Sequence, residues 1–258
     1  MNACSVFLFV ALLAAPLQLS YADARTDEWI AKARAAVGGE IALSAINSVR
    51  FIGKVETIQK IVAKDDPAKS TEETIRLAID ISFQNPYRQR IVLRTDKTVE
   101  TTALDGYDGW FRRTEIGKEE KAQFTLLESA QIKRLRANTW ENLSFYRGID
   151  ARGGRTEFQG EADVDGKTCV VLAFIHSDNI SFTRYFEKAT GLLVKTVTEV
   201  GGEIREEGEI VVNGIRYPKK LINKAPDGQT ATITFESVKV NEPLPAAEYV
   251  VPDVPMMR

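Results

Sequence analysis

The chain has 258 residues, 44% of them hydrophobic, with 34 Lys and Arg against 36 Asp and Glu and a formal net charge of −2. So much apolar material argues against wholesale disorder, and the near-neutral balance, with a pI near 5.7, argues against broad electrostatic binding to nucleic acid or to an anionic membrane surface. A single His and two Cys leave little for a metal cluster or for His-based catalysis.

Residues 1–24 read as a secretory signal peptide. An apolar run from Val6 to Ala15 is broken by Pro16 and leads to Ala22-Asp23-Ala24, a small-x-small cleavage site. The run is shorter than the ~20 residues of a membrane-spanning helix. Its n-region carries no Lys or Arg, which keeps an uncleaved N-terminal anchor as the competing reading. Cleavage leaves residues 25–258 as one domain exported to the periplasm. Cys4 is lost with the leader, so Cys169 has no disulfide partner within the chain. It lies in the apolar run Cys169 to Ile175 and reads as a small core residue.

Helical periodicity opens the exported part. Thr26 or Asp27 can cap a helix whose Trp29, Ile30, Ala33 and Val37 share a stripe, and Gly38-Gly39 stops it. A second short helix, Glu40 to Asn47, places Ile41, Ala42, Ala45 and Ile46 on one side. The period then becomes two. Ile75, Leu77, Ile79, Ile81 and Phe83 are in step while Arg76, Asp80 and Ser82 face the other way, the habit of an antiparallel strand with one wet face. After Asn85-Pro86, Ile91 and Leu93 continue a long hairpin, and Lys64 to Ser70 reads as a polar loop.

Turn pairs follow at Asp105-Gly106, Asp165-Gly166, Thr190-Gly191, Gly201-Gly202, Asn213-Gly214 and Asp227-Gly228. One helix interrupts them. Thr125-Leu-Leu-Glu128 reads as a capping box, followed by Ile132, Leu135, Trp140 and Leu143 among Lys133, Arg134 and Arg136. Pro243, Pro245, Pro252 and Pro255 mark an extended C-terminal tail. The fold class is mainly β (α+β): a curved antiparallel sheet with N-terminal and mid-chain helices on its concave side.

Several stretches resemble, in order, the periplasmic proteins of the LolA/LolB-like superfamily of outer-membrane lipoprotein carriers. They are Ala36 to Gly53, Leu104-Asp-Gly-Tyr-Asp-Gly-Trp-Phe111, the mid-chain helix, Val164-Asp-Gly-Lys167, Tyr185 to Leu193, and Glu236 to Pro252. The resemblance is to the broad superfamily and implies an antiparallel half-barrel closed by helices around an apolar cavity. It also implies noncatalytic carriage of a lipid or an acylated protein, with no cofactor. No carrier-specific residue can be matched, so none is transferred.

The residues themselves offer little catalytic chemistry. His176, Ser177 and Asp178 supply three triad residue types, but adjacent positions point apart. The acidic pairs Asp65-Asp66, Glu119-Glu120 and Glu206-Glu207 lie in charge-mixed runs and read as solvated surface. Arg88, Arg90 and Arg94 alternate opposite Ile91 and Leu93 and read as solvent-facing. Phe51, Phe83, Trp110, Phe158, Phe174, Phe182 and Phe235 fit a filled core or a cavity wall equally. On parity, the cavity residues expected are Ile79, Ile81, Phe83, Ile91, Leu93, Trp110 and Phe235, with no metal and no catalytic group among them. Expected partners are a lipid or acylated protein, with an envelope protein possible and no nucleic acid, the chain acting as a monomer. The alternative is a structural or interaction module of the envelope without a small-molecule ligand.

Overall fold

The computed structural model describes residues 24–63 and 66–252. Helix α1 (Ala24–Val37) and the short α2 (Glu40–Ser44) lead into β1 (Ser48–Ala63) and β2 (Asp66–Gln84), a long hairpin. The meander continues through β3 (Arg88–Arg94), β4 (Thr98–Asp105), β5 (Asp108–Glu115) and β6 (Gln123–Leu126) to one edge of the sheet. Helix α3 (Ser129–Leu143) then carries the chain to the opposite edge. There a second meander begins with β7 (Arg155–Val164), β8 (Lys167–Ser177) and β9 (Ile180–Glu187). It ends with β10 (Leu193–Thr198), β11 (Glu203–Val212), β12 (Ile215–Lys224) and β13 (Thr230–Val240).

The two meanders meet where β13 pairs with β1, so all 13 strands form one sheet. The sheet stays open as a half-barrel, with the helices over its concave side, as the sequence pattern predicts. Among the described residues no helix is long and apolar enough to cross a membrane. The predicted leader lies outside the described residues except Ala24, which opens α1.

The alternation expected in β2 sets the concave face. Ile79 and Phe83 are buried there, Ile75, Leu77 and Ile81 are half-buried, and Arg76 is exposed. Antiparallel register carries that face sideways, from Ile81 to Phe51 in β1 and to Ile91 in β3. Every predicted turn pair joins two strands. Asn213 and Gly214 take φ of 52° and 77°, the two successive positive values that a tight hairpin turn needs.

Five local expectations are corrected. Thr26 is buried within α1 and not at its cap, and the buried stripe is Thr26, Ile30, Ala33 and Arg34. Helix α2 ends at Ser44, short of the expected Asn47; Leu43 is its buried residue, Ile46 is buried just beyond it as expected, and Ile41, expected on the same side, is 92% exposed. The capping box sits three residues later than expected. Thr125 belongs to β6, and Glu128 caps α3 with Gln131, whose Oε1 accepts the Glu128 N–H at 2.9 Å. Asp66 to Ser70 is strand, because β2 keeps pairing with β1 up to Ala63; Lys64 and Asp65 lie outside the described residues.

The C-terminal segment, finally, folds back instead of extending. After a single turn at Ala246–Glu248, Tyr249 is fully buried: its hydroxyl lies 2.9 Å from Ser82 Oγ, and its carbonyl accepts from Trp110 Nε1 at 2.9 Å. It thereby dries part of the outer face that parity alone predicts to be wet.

One glycine sets how closely the two meanders approach. Strand β1 bulges between Ile52 and Gly53 where it pairs with β13, and a Cβ at Gly53 would stand 2.1 Å from the Thr234 carbonyl oxygen. Gly53→Ala is expected to destabilise the protein by about 2 kcal/mol or more, since backbone must move to relieve the clash. A lowered urea midpoint at unchanged slope checks this.

Candidate functional site: a cavity with an apolar wall and a charged end

Helix α3 packs over both halves of the sheet. Its Leu143 joins Phe51, Phe83, Tyr217 and Phe235, whereas Trp140 joins Ile30, Leu172, Phe174 and Phe186. Between helix and sheet lies a cavity of about 490 Å³, within the ~300–1,000 Å³ range of small-molecule sites. Phe51, Ile81, Phe83, Phe145, Leu221, Ile233 and Phe235 form its apolar wall. The rings pack on one another, Phe51 lying 4.9 Å from Phe235 and 5.6 Å from Tyr217 between centroids. These aromatic residues are therefore core and cavity wall at once.

The wall depends on how α3 ends. Phe145 and Tyr146 leave the helix with φ of 46° and 73°, and both line the cavity. Arg34 of α1 holds that exit: its Nη1 donates to the carbonyls of Ser144 at 2.9 Å and Phe145 at 2.7 Å. Its Nε and Nη2 donate to the two carboxylate oxygens of Glu40 at 2.8 and 3.0 Å. A buried guanidinium thus serves carbonyls at a helix end, where positive charge is favourable. The Arg34 and Arg147 cations, with Ser44, outweigh desolvation and hold the Glu40 carboxyl below its ordinary value.

The cavity lining also carries charge. Register places Arg184 of β9 beside Thr196, and Thr196 beside Ile204 of β11. Glu206 stands two residues beyond Ile204 on the same concave face. Arg184 is 7% exposed and pairs with the Glu141 carboxylate from α3. Its guanidinium lies 4.9 Å from the Tyr146 ring centroid and 5.0 Å from that of Phe174, and its Nε and Nη1 have no hydrogen-bond partner. The other Glu141 oxygen lies 2.6 Å from His176 Nε2, whose ring meets Trp140 edge-on at 5.2 Å.

Glu206 lines the cavity and is exposed to solvent. Its setting in the concave face raises its carboxyl above the ordinary value, partly opposed by the nearby Arg184 cation. Burial likewise raises the Tyr146 hydroxyl far above its ordinary value.

Of the residues expected at a cavity, Ile81, Phe83 and Phe235 line it. Ile79, Ile91 and Leu93 share the concave face with Ile81 but lie outside the lining. Trp110 is on the other face. Its row runs Ser82, Arg90, Ala103, Trp110, opposite in parity to Phe83, and the Tyr249 segment covers it. Arg88 and Arg90 on that face are not free in solvent but half-buried, pairing with Asp105 and Glu248.

The expectation that Glu206-Glu207 is solvated agrees with the exposure of both residues, Glu207 pairing with Lys220 at 3.0 Å and Glu206 also lining the cavity. Parity offered a signal, since Glu206 is in step with Ile204 and Ile210. Sequence reading missed Arg184 and Glu141 entirely. Ser177 and Asp178 are exposed, and the partner of His176 is Glu141. Cys169 is a buried free thiol. Among the described residues no three His, Cys, Asp or Glu side chains are grouped to hold a metal ion.

No protein-family model matches the chain, and no curated protein matches it in sequence. Solved structures do match. A LolA superfamily protein from Nitrosomonas europaea superposes with a TM-score of 0.55 at 11% identity, over 88% of this chain and 97% of that one. A DUF1329 family protein from Desulfovibrio piger gives 0.52 at 12% identity, over 87% and 97%. The protein is a LolA-like half-barrel in fold. It is a distant one, sharing architecture with these structures and little sequence.

Proposed function

We propose that the protein is a noncatalytic carrier in the periplasm. Exported by a cleaved leader of residues 1–24, its single domain of residues 25–258 acts as a monomer and holds a lipid, or the acyl chain of a lipoprotein, in the cavity between α3 and the sheet. The carrying observation is the hollow itself: about 490 Å³ with one wall built from Phe51, Ile81, Phe83, Phe145, Leu221, Ile233 and Phe235. An acyl chain gains about 0.8 kcal/mol for each methylene it buries, so ten methylenes gain about 8 kcal/mol before association and ordering costs. The LolA-like fold and the sequence resemblance to lipoprotein carriers support the same reading.

The test is solvent extraction of the purified protein with mass spectrometry of the extract, followed by titration with a fluorescent acyl probe. Bound lipid and saturable probe binding are expected. Leu221→Trp, which fills the cavity from β12, is expected to weaken the probe at least about tenfold while the far-ultraviolet circular dichroism stays unchanged. A protein that carries no lipid and binds no acyl probe would sink the proposal. A stoichiometric crosslinked protein partner in its place would favour an envelope interaction module.

A further inference from the structure

We propose that a second pocket, on a different face of α3 from the apolar cavity, binds a phosphate group. The pocket has a volume of about 250 Å³, and its lining includes Tyr87, Lys133, Arg136, Arg152, His176 and Ser177. Tyr87 lies between β2 and β3, and Lys133 and Arg136 stand in the first half of α3. Arg152 ends the single turn Asp150–Arg152, and His176 and Ser177 end β8. The apolar cavity takes Asn138, Glu141 and Asn142 from the same helix instead, so this site stands or falls without the acyl-cavity reading.

Three cations converge here without a counter-ion. Lys133, Arg136 and Arg152 form no ion pair with a described residue, and no carboxylate stands among the described residues of the lining. The carboxylate that acts on Arg152, that of Glu141, is already shared between Arg184 and His176. Aromatic rings hold both arginines. The Arg136 guanidinium lies 3.6 Å from the Tyr87 centroid and 3.9 Å from that of Tyr107, and its Nη1 donates to the Gly106 carbonyl at 2.9 Å. Arg152 stands 4.2 Å from the same Tyr87 ring. Stacking occupies the faces of a guanidinium and leaves its N–H edges for an acceptor. None of the nitrogens left over is buried without a partner, so those edges open to solvent. Burial, with the Arg136 cation adding to it, holds Arg152 below its ordinary value against Tyr87 and Glu141. A bound anion removes the repulsion between the two guanidinium groups.

Charge and shape select the ligand. A phosphate monoester carries about −1.5 to −2 at neutral pH and three acceptor oxygens, enough to answer two guanidinium forks and an ammonium together. A carboxylate brings one charge and two oxygens. Arginine grips phosphate bidentately, and lysine serves it as a point charge. The Ser177 hydroxyl adds a neutral donor, while His176 is tied through Nε2 to Glu141 at 2.6 Å.

The experiment is isothermal titration calorimetry of the exported chain in a phosphate-free buffer at neutral pH. Inorganic phosphate is expected to bind at least about tenfold more tightly than acetate. Arg136→Gln and Arg152→Gln are each expected to weaken it about tenfold, and Lys133→Gln about threefold. Lys224→Gln, outside the pocket, leaves it unchanged. Dioctanoyl phosphatidate separates the sources of the phosphate. Affinity equal to that of inorganic phosphate supports a small soluble phosphate. Affinity at least about tenfold higher, and lost with Arg152→Gln, supports a lipid head group. Failure to bind either phosphate or phosphatidate overturns the proposal, as does phosphate binding that all three pocket variants leave intact. Lys133 is exposed, so Lys133→Gln disturbs no packing and decides alone should the arginine variants lose their circular dichroism spectrum.

Discussion

Arg34→Met is expected to lower the free energy of unfolding by about 3–5 kcal/mol, through the lost charge-assisted hydrogen bonds to Glu40 and a Phe145 carbonyl left without its donor. The side chain is 4% exposed and donates to the Phe145 carbonyl, while the Ser144 carbonyl also accepts from the Arg147 N–H at 3.2 Å. Arg34→Lys keeps the charge but not the planar fork that serves the carbonyls and both Glu40 oxygens together, so it recovers only part of the loss. Urea unfolding of both variants checks this. The damage reaches the cavity as well. Phe145 and Tyr146 lose the anchor that fixes their left-handed backbone, and probe affinity should fall with stability. A loss below about 1 kcal/mol would mean that water replaces the guanidinium at the helix end.

Glu141→Ala is expected to cost about 3–5 kcal/mol, because removing one partner leaves a buried cation uncompensated. Its side chain is 4% exposed and is shared between Arg184 and His176. The diagnostic measurement is a double-mutant cycle with Arg184→Met. If the carboxylate serves mainly to neutralise Arg184, the double variant is more stable than the two single losses added together, by about 2 kcal/mol or more. Additive losses would assign the stability of Glu141 to its packing in α3 instead. The pair is costly to maintain in an apolar interior, and a half-barrel that needed only a core would be as stable with two hydrophobic side chains in those positions.

The fold was legible in the sequence because its signals are local. Period-two alternation in Ile75 to Phe83 and six turn pairs between apolar runs define hairpins, and hairpins define most of this sheet. The helix caps were less legible, since Thr125-x-x-Glu128 and Glu128-x-x-Gln131 are overlapping candidates and only the extent of β6 separates them. The site was legible in half. Ile81, Phe83 and Phe235 follow from parity within their strands. Trp110 does not, because parity inside a strand says nothing about which face it joins until the register with its neighbours is known. The charged part of the lining was the least legible. Arg184, Glu141 and Glu206 are far apart along the chain and come from β9, α3 and β11. Nothing in the spacing of residues 141, 184 and 206 brings them together before the meander is folded.

The sheet also has a seam with kinetic meaning. Each meander pairs strands that are neighbours along the chain, whereas the β1–β13 ladder joins Val49 to Val240. Loop-closure entropy grows with the logarithm of loop length, and folding rate falls as contacts become more distant in sequence. The hairpins on either side are thus inexpensive to form early, while the middle of the finished sheet is the last pairing that the chain can close. Until it does, two half-sheets each expose an unpaired strand, β1 on one and β13 on the other. The interval before closure is when this protein is most open to aggregation.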